Sequence, residues 1–243
     1  MIEIRRLTKA YSRNSAPAVN DLDLTINNGE IVGFAGLNGA GKTTTIRAAT
    51  GIIYPTSGTV LIDGADILTE KARASSSVGW VPELPNFEPN AKPMQLLKYY
   101  GGFYGMSPEK SQNRGMQLLE ATGLSGDTGK KLRNYSQGMK KRFSLAASML
   151  NDPQNYFFDE TLNGLDPEGI RYVRKLVTEL KSRGRAIFLS SHILSELETL
   201  ADRIAIIHKG KLVEVMTRDQ IDSVMHNNGK LEDHFFKVIG LNV

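Results

Sequence analysis

The chain has 243 residues, 40% of them hydrophobic, and a formal net charge of +4, which is enough for one substantial core or a core with an attached subdomain. It has no cysteine, which excludes disulfides, thiolate metal sites and cysteine nucleophiles and is compatible with a reducing compartment. The opening M-I-E-I-R-R lacks a basic segment leading into an apolar one, and no run of about eighteen apolar residues occurs, so neither a signal peptide nor a membrane span is expected.

Taken in chain order, the alternation from Asp21 to Ile26 predicts a half-buried strand, and Ile31 to Ala35 a short apolar one. From about 84 to 152 the pattern changes. Three helical stretches (around 93 to 104, 108 to 122 and 136 to 150) follow one another without a convincing strand, the second opened by Pro108 and closed by Gly123. Apolar runs return at Asn155 to Asp159, Ala186 to Ser190 and Arg203 to Ile207. Between the first two lies the clearest helix, with Asp166 as N-cap, Pro167 at the first position and Ile170, Val173, Leu176, Val177 and Leu180 on one face. H-K-G-K from His208 to Lys211 has hairpin logic, and T-R-D-Q from Thr217 to Gln220 has the capping-box pattern before a last helical region. Strands alternating with helices predict an α/β fold with a sheet covered on both faces.

Three elements carry chemistry. The run G-L-N-G-A-G-K-T, Gly36 to Thr43, follows an apolar strand and precedes a helix, as a phosphate-binding loop requires. Gly36, Gly39 and Gly41 let successive N–H groups face phosphate oxygens, and the helix start adds partial positive charge. Lys42 supplies a cation for the β and γ phosphates, and the Thr43 hydroxyl can ligate Mg2+. The strand at 155–159 ends in Asp159 and Glu160; at that edge of an α/β sheet Asp159 would hold Mg2+ and Glu160 would act as general base. In Y-S-Q-G-M, Tyr135 to Met139, Ser136 is an N-cap and Gly138 admits close backbone approach, so the helix start can face an anion. Judged alone, the two acids are more often a surface turn and the serine a plain cap; the phosphate loop in the same chain changes both readings. The basic clusters Arg5-Arg6, Lys130-Lys131 and Lys140 to Arg142 have no interleaved aromatics for base stacking and read as solvated surface.

Together these residues resemble the ATP-binding cassette (ABC) family over nearly the whole chain. The phosphate loop matches at 36 to 43, the signature at 135 to 139, the metal-binding strand and catalytic glutamate at 156 to 160, the dimer-contact loop N-G-L-D at Asn163 to Asp166, and the switch histidine at His192. Tyr11 fits the aromatic that stacks on adenine. The resemblance implies a P-loop NTPase (RecA-like) core with an antiparallel β subdomain and an inserted helical subdomain. Its parts would be an α/β core at 1–83 and 153–215, a helical signature subdomain at 84–152 and a C-terminal extension at 216–243. It also implies a nucleotide site of Tyr11, Gly36, Asn38, Gly39, Ala40, Gly41, Lys42, Thr43, Thr44, Ser136, Gln137, Gly138 and Asp166, catalysis by Glu160 and His192, and a metal site of Thr43, Asp159 and Glu83. ATP and Mg2+ are the implied cofactors.

Several positions depart from the common pattern. Gln137 and Met139 replace a glycine and a glutamine of the signature, Asn163 stands where serine is common, and Glu83 stands where a glutamine usually senses metal and water. With L-E-D-H-F at Leu231 to Phe235, these resemble the subgroup serving ABC-2-type permeases, often exporters. The implied protein is a homodimer, or a heterodimer with another ABC subunit, bound to an integral membrane permease at the inner face of the cell membrane, cytoplasmic, with no nucleic acid expected. A soluble cassette ATPase acting on ribosomes or DNA is the alternative, and a nucleotide-gated module without turnover is a second one that Glu160 and His192 argue against.

Overall fold

The computed structural model describes residues 1–12, 14–226 and 230–241. A small antiparallel sheet has the order β2 (Val19–Ile26), β1 (Ile2–Lys9), β4 (Ser57–Ile62), β5 (Ala65–Asp66). A larger sheet runs β10 (Lys211–Thr217), β9 (Arg203–His208), β3 (Ile31–Ala35), β8 (Ala186–Ser191), β7 (Asn155–Asp159), β6 (Val78–Val81). Its strands pair in parallel except β10, which forms an antiparallel hairpin with β9 through the predicted turn.

The central strands read as unbroken apolar runs because both faces of the large sheet are covered. Successive residues nevertheless go to opposite sides, as the period of two requires. Ile31, Tyr156, Phe158, Ile187, Leu189, Ile204 and Ile206 pack into one core. Val32, Phe34, Phe157, Phe188, Ala205 and Ile207 pack into the other. The second core is closed by the small sheet, α1 (Lys42–Ala49) and α2 (Lys71–Ser76). The first is closed by α3 (Pro93–Phe103), α4 (Pro108–Ala121), α5 (Gln137–Ser148), α6 (Pro167–Ser182) and α7 (Leu194–Leu200), with α8 (Arg218–His226) and α9 (Leu231–Val238).

The helix starts follow their cap chemistry. Ser107 accepts the Lys110 N–H at 3.1 Å ahead of Pro108, and Asp166 accepts the Gly169 N–H at 2.9 Å ahead of Pro167. Such caps stabilise a helix by about 1 kcal/mol each. At Thr217 only half of the capping box forms: its N–H donates to Gln220 Oε1 at 2.8 Å. Between β6 and β7, α3, α4 and α5 follow in succession, with short 3-10 turns at Ser125–Asp127 and Leu132–Asn134 and no strand among the described residues. Part of the expected extension at 216–243, residues 227–229 and 242–243, lies outside the described residues.

Candidate functional site

The C-terminal ends of β3, β7 and β8 lie side by side in register, so that Phe158 opposes Leu189 and Ala35 opposes Ser191. The loop after β3, the carboxylates after β7 and the residues after β8 therefore meet at one edge, where α/β sheets bind ligands.

Gly36 to Gly41 fold back tightly between β3 and α1. Gly41 has φ +116°, and a Cβ there would stand 2.4 Å from the Ala18 carbonyl oxygen, so the cradle requires glycine both for its backbone angle and for its space. Gly36 is held as closely: a Cβ would meet the Ile207 carbonyl oxygen at 2.7 Å. Leu37, Asn38 and Gly39 are exposed at the rim, while Ala40 is buried. α1 has no side-chain cap, so its first N–H groups are free to meet an anion. Lys42 arches back over the loop. Its Nζ donates to the carbonyls of Gly36 (2.7 Å) and Leu37 (3.2 Å) and pairs with Glu160 Oε1 at 3.0 Å, both side chains being buried.

Thr43 Oγ1 donates to Asp159 Oδ1 at 3.2 Å, and Ser190 Oγ donates to the same oxygen at 2.9 Å. Burial pushes the Asp159 carboxyl above its ordinary value, opposed by these two hydrogen bonds and reinforced by the charges of Glu160 and Glu83. Ser190 Oγ also accepts the Glu160 N–H at 3.0 Å, fixing the start of the next loop. Glu160 itself adopts φ +46°. Its Oε2 meets His192 Nδ1 at 2.9 Å and accepts from Asn163 Nδ2 at 2.9 Å. Burial works to raise this carboxyl, but Lys42 and then His192 outweigh it and hold it below the ordinary carboxylate range. Glu160 is thus an ionised carboxylate set between a cation and an imidazole.

Thr43 and Asp159 present hard oxygens to one point, the donor type that Mg2+ takes. Among the described residues no three His, Cys, Asp or Glu side chains gather into a metal cage. A cation here would therefore complete its shell with phosphate or water oxygens, which is the habit of Mg2+. Glu83 is exposed in the loop after β6 and reaches the site through its charge.

Of the remaining expected residues, Tyr11 meets Thr44 beside the cradle, whereas Ser136, Gln137, Gly138 and Asp166 make no hydrogen bond to the cradle or to the strand-end carboxylates among the described residues. Tyr11 is exposed, its hydroxyl 3.4 Å from Thr44 Oγ1 and its ring 5.2 Å from the Lys9 ammonium. Ser136 caps α5 by accepting the Met139 N–H at 3.2 Å; Ser136 and Gln137 are exposed and Gly138 half-buried, which leaves that helix start open to an outside ligand. Asp166 is engaged as the cap of α6 and lies 3.8 Å from Arg142.

Two residues of the centre were not foreseen. Ser190 had a legible signal, a small polar residue ending an apolar strand. Lys141 had none: within a basic cluster that reads as surface, it is buried, and its ammonium reaches the loop after Glu160.

Residues 19–163 match the family model described as ABC transporter. Among curated relatives, the chain is 39% identical over 222 residues to the bacitracin transport ATP-binding protein BcrA of Bacillus licheniformis, covering 91% of this chain and 71% of that protein. It is 33% identical over 224 residues to the Nod factor export ATP-binding protein I of Cupriavidus pinatubonensis, covering 92% and 68%. A solved ATP-binding subunit of an ABC transporter superposes with TM-score 0.88 at 27% identity, covering 98% of this chain and 99% of the other. The chain belongs to the ABC transporter family, as one of its ATP-binding, ATP-hydrolysing subunits.

Proposed function

We propose that this subunit powers export through a separate ABC-2-type permease, and that its ATP site is completed by a second cassette subunit. The observation that carries the reading is the hydrogen-bonded set at the strand ends, Thr43–Asp159–Ser190 beside Lys42–Glu160–His192. In it Gly36, Asn38, Gly39, Ala40 and Gly41 wrap the phosphates, Thr44 flanks them, and Tyr11 offers its exposed ring to adenine. Glu160 takes a proton from the attacking water, and Lys42 and His192 meet the charge that develops on the γ-phosphate. Thr43 and Asp159 would hold Mg2+, which when bound offsets phosphate charge, with Glu83 acting from the adjoining loop. Ser136, Gln137 and Gly138 of the neighbouring copy cover the triphosphate, and Asp166 contributes from the dimer-contact loop.

Export is supported by the relatives, one of which is named for Nod factor export. The permease is supported by a groove of about 910 Å³ next to the Glu83 loop, lined by Ile52, Trp80, Phe87, Tyr100, Phe103 and Tyr104. Phe103 is largely exposed, and the Trp80 indole N–H is buried without an acceptor. The exposed aromatic wall suits a short cytoplasmic helix of the permease that presents apolar side chains. No helix among the described residues is long and apolar enough to cross a membrane. In this reading residues 1–83 and 153–215 are the motor core, 84–152 the lever and 216–243 an extension whose helix α9 packs against α7. Affinity purification from detergent-solubilised cells tests it: an integral membrane protein should accompany the chain, and Phe103→Asp should release it. Recovery of ribosomes or DNA instead would support the soluble alternative.

A further inference from the structure

The signature helix α5 carries a cation that the mechanism above does not use. Lys141 lies one turn beyond the Ser136 cap, and its side chain is 6% exposed. Its ammonium donates to the backbone carbonyls of Glu160 (3.3 Å), Thr161 (3.2 Å) and Asn163. An ammonium has three N–H donors, and here all three are spent on one loop. That loop begins at Glu160, whose backbone is in the left-handed region, and it supplies Asn163, whose amide donates to the Glu160 carboxylate.

Burying a lysine is costly unless its charge is used. Packing alone would be served by methionine, which has similar length and no desolvation cost. Burial accordingly draws the Lys141 ammonium below its ordinary value, against the nearby charges of Glu83 and Glu160. The Glu160 carbonyl also accepts the Asn163 N–H at 3.2 Å, but without the ammonium the carbonyls of Thr161 and Asn163 would lose the cation that offsets their dipoles. Without the cation the loop is free to relax beyond the Glu160 N–H that Ser190 holds, and the Asn163 amide that orients the Glu160 carboxylate shifts with it.

We propose that Lys141 is a positioning residue: it ties the loop that presents Glu160 to the helix whose start clamps the ATP of the neighbouring subunit. The inference rests on the shared-site reading. Because α5 faces the partner's nucleotide while Glu160 faces its own, this tie lets closure at one site set the base at the other. Its effect falls on the chemical step and leaves nucleotide capture alone.

The experiment is a comparison of K141M and K141Q with the wild-type full-length chain, by steady-state ATPase with Mg2+ and by equilibrium binding of ATP. For K141M, kcat should fall roughly tenfold or more through misplacement of the base, with KM and ATP affinity within about twofold of wild type. K141Q retains two N–H donors and should lie between them. If both variants merely melt lower, with wild-type kcat per nucleotide-binding site, Lys141 is structural only and the inference is overturned; equal losses in kcat and ATP affinity overturn it too. ATP-driven dimerisation of E160Q, scored in parallel by size exclusion, separates the two claims. E160Q should dimerise and so should E160Q/K141M. Failure of E160Q itself overturns the shared site, whereas failure of the double variant alone overturns the restriction of Lys141 to the chemical step.

Discussion

Replacing Glu160 by glutamine separates two roles that one side chain plays. The carboxylate is the proposed base, and it also holds Lys42 through a buried ion pair at 3.0 Å. The Lys42 ammonium keeps the bond charge-assisted in either case, but glutamine replaces an ion pair by an ion–dipole contact, which loosens the grip on Lys42 by roughly 1 kcal/mol. That difference is about fivefold in apparent ATP affinity, because the lysine is released to the incoming phosphate at lower cost. Glutamine also removes a negative charge that faces the triphosphate, which acts in the same direction. Turnover, having lost its base, should fall roughly 10²- to 10⁴-fold. Titration with a fluorescent ATP analogue reads the first effect and phosphate release the second. An E160Q protein that binds ATP more weakly than wild type, or that keeps more than about a tenth of its turnover, refutes this assignment.

Asp159 offers a pH test. An acid whose folded pKa is raised costs stability as pH climbs from its unfolded value through the folded one, and the cost persists above it. Asp159→Asn should therefore melt higher than wild type at pH 7, with the difference shrinking toward pH 3.8, while hydrolysis is lost; equal or lower melting at pH 7 would contradict the burial argument. Gly41→Ala should lose ATP binding and about 1–3 kcal/mol of stability from backbone strain, before counting the displacement of Ala18, as read by thermal melts and nucleotide titration. Wild-type affinity in that variant would show that the cradle tolerates a Cβ. Ser136→Ala removes a cap worth about 1 kcal/mol, roughly 2–4 °C in Tm for a chain this long, and should weaken the ATP-driven dimer of E160Q. An unaltered dimer would place the α5 start away from nucleotide.

The sequence made the central strands legible because they are short, apolar and bounded by turn or charged residues, and it made α6 legible because Asp166 and Pro167 mark its start. The small sheet was largely invisible. Of its strands only part of β2 alternates cleanly; β1 is interrupted by charged residues at Glu3, Arg5 and Arg6, and β5 is two residues long. Their pairing is long-range, Ile2 with both Ile26 and Ile62, and no local pattern encodes it. The site divided in the same way. Motif spacing pointed to Lys42, Asp159, Glu160 and His192, but it could not show that Lys42 and Glu160 touch or that Ser190 joins the two acids. Lys141 was hidden because a buried and a solvated lysine are the same letter; only packing distinguishes them.

The alternation of β3, β7, β8 and β9 between two separate cores has an evolutionary consequence. One face of the large sheet supports the phosphate cradle through Val32, Phe34 and Ile207, and the other supports the helical lever through Tyr156, Phe158 and Leu189. A substitution on the lever side repacks against α3 to α6 and leaves the cradle's own neighbours in place. Substitutions can thus retune the helical face proposed to meet the permease while the nucleotide chemistry stays under independent selection, the sheet serving as the partition between the two.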